Sequence, residues 1–97
     1  MIRIVKMTFE PKLVQDFEKL FELNKHKIRS FEGCNHLELL QDKDSPNIFF
    51  TYSFWEHPDN LKNYRQSELF KNVWTATKKL FCAKPEAWSV DQKIILE

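Results

Sequence analysis

The chain has 97 residues, the length of one domain spanning 1–97 and too short for two. Apolar residues make up 42% and aromatics 14%, so a compact core can form, while a single Gly and four Pro exclude low-complexity disorder. Charged residues reach 30% but nearly cancel, to a net +1, which argues against nucleic acid and against an anionic membrane as partners. No apolar run approaches the roughly 20 residues that span a bilayer.

Residues 2–9 read as a first strand, with Ile2 and Ile4 on one side and Val5, Met7 and Phe9 on the other. Apolar groups on both sides predict a strand covered on both faces. Glu10-Pro11 breaks it, and Pro is well tolerated in a first helical turn. A helix is expected from Pro11 to Ser30, since Leu13, Phe17, Leu20, Asn24 and Ile28 recur at three- and four-residue steps. Such a helix would be about 30 Å long at 1.5 Å per residue. Gly33 suits the exit from that helix.

Residues 34–41 read as a second strand and Ile48 to Trp55 as a third, joined across the polar turn 41–47 into a hairpin. In the third strand Ile48, Phe50, Tyr52 and Phe54 share one face, and Phe49, Thr51, Ser53 and Trp55 the other. His57-Pro58-Asp59 opens a short helix holding Leu61, Tyr64 and Arg65. Ser67-Glu68 is set to cap a second one carrying Phe70, Val73, Trp74 and Thr77, which Pro85 ends. Ala87 to Leu96 alternates as a last strand, with Trp88 expected in the core or at an interface.

The order β-α-β-β-α-β is the α+β, ferredoxin-like arrangement: a four-stranded antiparallel sheet with its helices on one face. The other sheet face would then expose Ile and Phe side chains together. A contiguous patch of that kind predicts an interface, and a second copy of the chain on a two-fold axis is the simplest cover.

Chemistry is thinly marked. His26, His36 and His57 have no metal-ligand spacing, so no metal site is expected. His26 lies in a Lys-rich helical stretch and reads as solvated, and His57 as a loop residue at a helix start. His36 lies mid-strand beside Glu38; a hydrogen-bonded structural role is its plainer reading, and a base for a phenolic proton near neutral pH its sharper one. One glycine cannot build a phosphate loop or a dinucleotide fingerprint, so no tightly bound flavin or nicotinamide is expected. Tyr52, Trp55, Tyr64 and Trp74 are candidates to line an apolar pocket, against core packing as the ordinary role of each. Cys34 and Cys82 form no disulfide framework. With Ile2-Arg3-Ile4-Val5 opening directly as a strand and no apolar leader before it, a cytoplasmic location with reduced thiols is expected.

Glu32-Gly33-Cys34 after the helix, Asp44-Ser45-Pro46-Asn47 between the middle strands, and Trp55-Glu56 at the end of the third strand resemble the antibiotic biosynthesis monooxygenase family. The helical stretch Leu61-Lys62-Asn63-Tyr64-Arg65-Gln66-Ser67-Glu68-Leu69-Phe70 is similar to the family's L-x-x-H-x-x-S-x-x-F, with Tyr64 in place of the histidine. The resemblance implies a dimeric α/β barrel with a pocket between sheet and helices in each subunit. It further implies a monooxygenase without cofactor, acting on a small aromatic or quinol-like substrate, with His36 and Tyr64 as the candidate catalytic residues. A dimeric module that binds a small apolar or aromatic ligand without turnover, or acts as a stress-linked partner, is the alternative the relatives leave open. Haem-degrading relatives use a strand Asn, a strand-end Trp and an iron-binding helix His. Trp55 matches their Trp, while the other two positions fall near Val5 and near Trp74, which disfavours haem.

Overall fold

A computed structural model describes the whole chain, Met1–Glu97. Strand β1 (Ile2–Thr8) leads into a 3-10 turn, Pro11–Leu13, and then helix α1 (Val14–Arg29). The hairpin β2 (Cys34–Gln41) and β3 (Ile48–Trp55) follows, then helices α2 (Pro58–Arg65) and α3 (Glu68–Lys78), and last β4 (Glu86–Val90). The four strands form one antiparallel sheet in the order β2-β3-β1-β4. The fold is therefore α+β and ferredoxin-like, with the expected second crossover built from two short helices.

Each boundary has a local cause. Pro11 lacks an amide hydrogen and opens the 3-10 turn, so the regular helix begins only at Val14. His57 caps α2: its Nδ1 accepts from the Asp59 amide at 3.1 Å, with Pro58 in the first turn. Ser67 caps α3 through Oγ, which accepts from the Phe70 amide at 3.1 Å. Gly33 has φ of 87°, the left-handed region that side chains avoid. A Cβ there would also run into Cβ and Cγ of Asn60. Gly33→Ala is accordingly expected to lower stability by more than about 1 kcal/mol, read as a drop in the urea midpoint at unchanged slope.

The last strand is shorter than its alternation predicts. It ends at Val90, which pairs with Ile2, the first residue of β1. Beyond that point β1 offers no partner groups, so residues 91–97 continue without regular structure although Ile94 and Leu96 keep the rhythm.

The register sorts the side chains into two faces. Ile4 lies opposite Tyr52 and Trp88, and Tyr52 opposite Glu38; these share one face with His36, Phe54 and Val90. Arg3, Val5, Met7 and Phe9 share the other with Thr51, Ser53 and Trp55, and the helices cover that side. The core lies there, around Met7, Phe9, Phe17 and Phe49. A second cluster joins Cys34, Trp55 and Leu61, with Phe31 and Tyr64 packed on it. The uncovered face leaves Trp88, Val90 and Leu40 exposed and Ile4, Tyr52 and Phe54 half-buried.

Candidate functional site

Between the sheet and the three helices lies a cavity of about 390 Å³. Its floor is the inner sheet face, with Val5, Thr51, Ser53 and Trp55. α2 adds Tyr64, and α3 adds Phe70 and Trp74. Residues of both clusters line this space, Met7 and Phe17 from one and Trp55 and Leu61 from the other.

The aromatic wall is continuous. Trp55 stacks on Tyr64 with ring centroids 5.2 Å apart, Tyr64 meets Phe70 edge-on at 5.2 Å, and Phe70 stacks on Trp74 at 5.8 Å. Three of these four rings come from two short helices, each with a side-chain cap at its start. Trp55 is oriented by its indole N–H, which donates to Ser53 Oγ at 3.0 Å; that hydroxyl in turn donates to the Arg3 carbonyl at 3.4 Å. Trp55 is only 3% exposed, so this one hydrogen bond satisfies a buried donor and locks the ring.

Titration on the wall is held in check by burial. Burial, then the neighbouring Cys34, push the Tyr64 phenol well above its ordinary value, so near neutral pH it stays protonated and is suited to donate a hydrogen bond rather than take a proton. Burial likewise pushes the Cys34 thiol up, and its Sγ donates to the His36 carbonyl at 3.7 Å, the arrangement of an unreactive cysteine. Arg3 is the charged residue of the sheet floor. Burial, then the charge of Arg65, push its guanidinium below its ordinary value, and it donates to Ser89 Oγ at 3.0 Å.

Of the residues singled out in the sequence, Trp55, Tyr64 and Trp74 meet in this cavity. His36 and Tyr52 do not: both project from the opposite sheet face, in register through Phe54 and Glu38. There His36 Nε2 lies 2.5 Å from Glu38 Oε2, and its ring packs 5.0 Å from Phe54. Val5 and Trp74, near which the strand Asn and helix His of the haem-degrading relatives were expected to fall, both line the cavity and carry no ligand atom for iron. No group of three His, Cys, Asp or Glu side chains is placed to hold a metal ion, and no helix is long and apolar enough to cross a membrane. Arg3 and Arg65 line the cavity without having been singled out. The signal for Arg3 was its phase: it shares the face of Val5, Met7 and Phe9 on a strand otherwise apolar at those positions.

The family model for antibiotic biosynthesis monooxygenases matches residues 1–75, more than three quarters of the chain and most of the cavity's wall. The chain belongs to that family. Among solved structures, a conserved protein from Methanosarcina mazei is 24% identical, with 89% of this chain and 86% of that one covered and a TM-score of 0.83. A candidate antibiotic biosynthesis monooxygenase from Nitrosomonas europaea is 12% identical, with 96% and 98% covered and a TM-score of 0.88. Another, from Bordetella bronchiseptica, is 22% identical, with 97% and 96% covered and a TM-score of 0.84. No curated protein sequence matches significantly. At these identities the solved structures establish the fold of an antibiotic biosynthesis monooxygenase family member, and the residues of the cavity speak for themselves on chemistry.

Proposed function

We propose that this family member is a monooxygenase without cofactor that acts on a small aromatic or quinol-like substrate held in the cavity, and that it works as a cytoplasmic homodimer. The observation that carries the reading is the chamber itself: about 390 Å³, apolar, and walled by Trp55, Tyr64, Phe70 and Trp74. That is the size and lining of a site that grips a flat ring. The family match supports oxygenation as the reaction class.

The chemistry balances without a further reductant when the substrate is a hydroquinone. The quinol and O2 give a hydroxyquinone and water: one oxygen atom enters a ring C–H position, the other leaves as water, and all four electrons come from the ring. The protein's part is to hold and orient the ring against the Trp55–Tyr64 stack. Tyr64, kept as a phenol, donates a hydrogen bond to a ring oxygen as charge develops on it. The cavity wall carries no imidazole, so the phenolic proton leaves to water at the mouth. Incubation with a panel of hydroquinones at an oxygen electrode is expected to show uptake above the buffer rate with at least one; none with any would overturn the reading.

The absence of an imidazole from the wall also favours a second reading, a dimeric module that retains a small aromatic ligand without turnover. Native mass spectrometry that finds a bound ligand, alongside a silent electrode, would select it. Haem is not part of either reading, because the relatives' iron-binding helix His falls near Trp74 and no histidine lines this cavity. Adding hemin is expected to give no Soret shift.

A further inference from the structure

The cavity does not end at its aromatic wall. It shares Arg3, Leu61 and Arg65 with a shallower groove on the protein surface, and Lys62, Gln66 and Ser89 complete the polar side of that groove. Two side-chain cations, Arg3 and Arg65, therefore stand where chamber and groove meet, Lys62 lines the groove beyond them, and no carboxylate lines the groove at all. One acidic residue, Glu86, borders the chamber. It pairs with Lys6 in the sheet register, which sets its side chain on the opposite face.

The two arginines are free of acidic partners. The carboxylate contacts of the protein's basic side chains join Lys25 with Glu22 and Lys43 with Asp44, and set His36 beside Glu38 and His57 beside Asp59. Arg3 spends one N–H on the Ser89 hydroxyl, which fixes its direction without neutralising it. A like-charged pair at the mouth of an apolar chamber costs free energy in the empty protein. Arg65 is felt at Arg3 as repulsion, on top of partial burial. An anion between them would remove that cost and use the donors still open on both guanidinium forks.

We propose that the ligand of this cavity is an aromatic carboxylate, its ring system against Trp55, Tyr64 and Trp74 and its carboxylate between Arg3 and Arg65. The proposal rests on the reading of the cavity as an aromatic-substrate site and adds the substrate's charge and orientation. The ring goes in first and the anion stays at the rim. The carbon to be oxygenated is thereby placed away from the arginines and beneath the α3 aromatics.

The test is calorimetric titration of the unmodified protein with 2-naphthoate and with 2-naphthamide, which share ring and size and differ in charge. The carboxylate is expected to bind at least about tenfold tighter, equivalent to about 1.4 kcal/mol, with the difference shrinking as salt is raised. Arg65→Gln, at an exposed helix end, is expected to cut the preference to about threefold or less. Equal binding of the two compounds, binding of neither, or a preference untouched by Arg65→Gln would overturn the proposal. Failure here and failure of the oxygenase reading are distinguishable. Oxygen uptake with neutral hydroquinones and equal binding of the naphthalene pair would remove the arginine clamp and leave the oxygenase. A naphthoate preference with no uptake for any quinol would keep the clamp in a binding module.

Discussion

Phe9→Ala is expected to cost about 3–5 kcal/mol, the range for deleting a fully buried aromatic ring. Phe9 is the residue on which the inner face closes: 0% exposed, stacked on Phe17 at 4.1 Å, and touching Phe81 at 5.3 Å and Phe49 at 5.9 Å. It lies just past β1, bridged to Phe81, and its carbonyl accepts from the Asn47 side chain at 2.9 Å. Removing the ring opens a void between strand, helix and the segment after α3, and none of the three is free to move in. Domains of this size hold only about 5–15 kcal/mol in total, so the loss is a large fraction of it. The measurement is urea unfolding followed by tryptophan fluorescence. A midpoint lowered at unchanged slope is expected; a cost below about 1 kcal/mol would mean that the ring is not where the core closes.

Ile4→Glu is expected to split the proposed dimer. Ile4 sits at the centre of the uncovered face, opposite Tyr52 on one side and Trp88 on the other. The patch around it, with Phe54, Leu40 and Val90, is too apolar to be left in water without reason. In a two-fold pair each substitution counts twice, and each buries a carboxylate without a partner, a penalty of several kcal/mol. The association constant should fall at least about a thousandfold, since every 1.4 kcal/mol or so is a factor of ten. Sedimentation at micromolar concentration should show the unmodified chain as a dimer and the variant as a folded monomer. An unmodified chain that sediments as a monomer would end the proposal that this face is an interface.

Much of the fold was legible in the sequence because its signals are local. Alternation from Ile48 to Trp55 marks β3 residue for residue, the Leu13–Ile28 spacing marks α1, and Ser67 marks the start of α3. The tail was not legible by the same means. Trp88 to Leu96 alternates throughout, yet a strand lasts only as long as its neighbour, and β1 begins at Ile2. Pairing length is a tertiary fact that no alternating pattern carries.

The site was legible in part for a similar reason. Trp55, Tyr64 and Trp74 could be named from residue type alone, but Tyr52 and Trp55 have opposite phase on one strand, and a cavity on one face takes only one of them. His36 drew notice as the mid-strand histidine, and its phase puts it with Tyr52 and Phe54 on the uncovered face. Arg3 and Arg65 are 62 positions apart, and only the packing of α2 against the sheet brings them to one rim. A charged residue in phase with a core face is the kind of signal that can be read in advance, because a buried cation needs a reason to be there.

The most direct test of the oxygenase site is the fate of isotopically labelled dioxygen supplied with whichever hydroquinone raises the uptake rate. The site described here predicts a hydroxyquinone carrying a single labelled atom, the second label in water, and one dioxygen consumed per quinol. A quinone without label, or no consumption beyond the buffer rate, would contradict it.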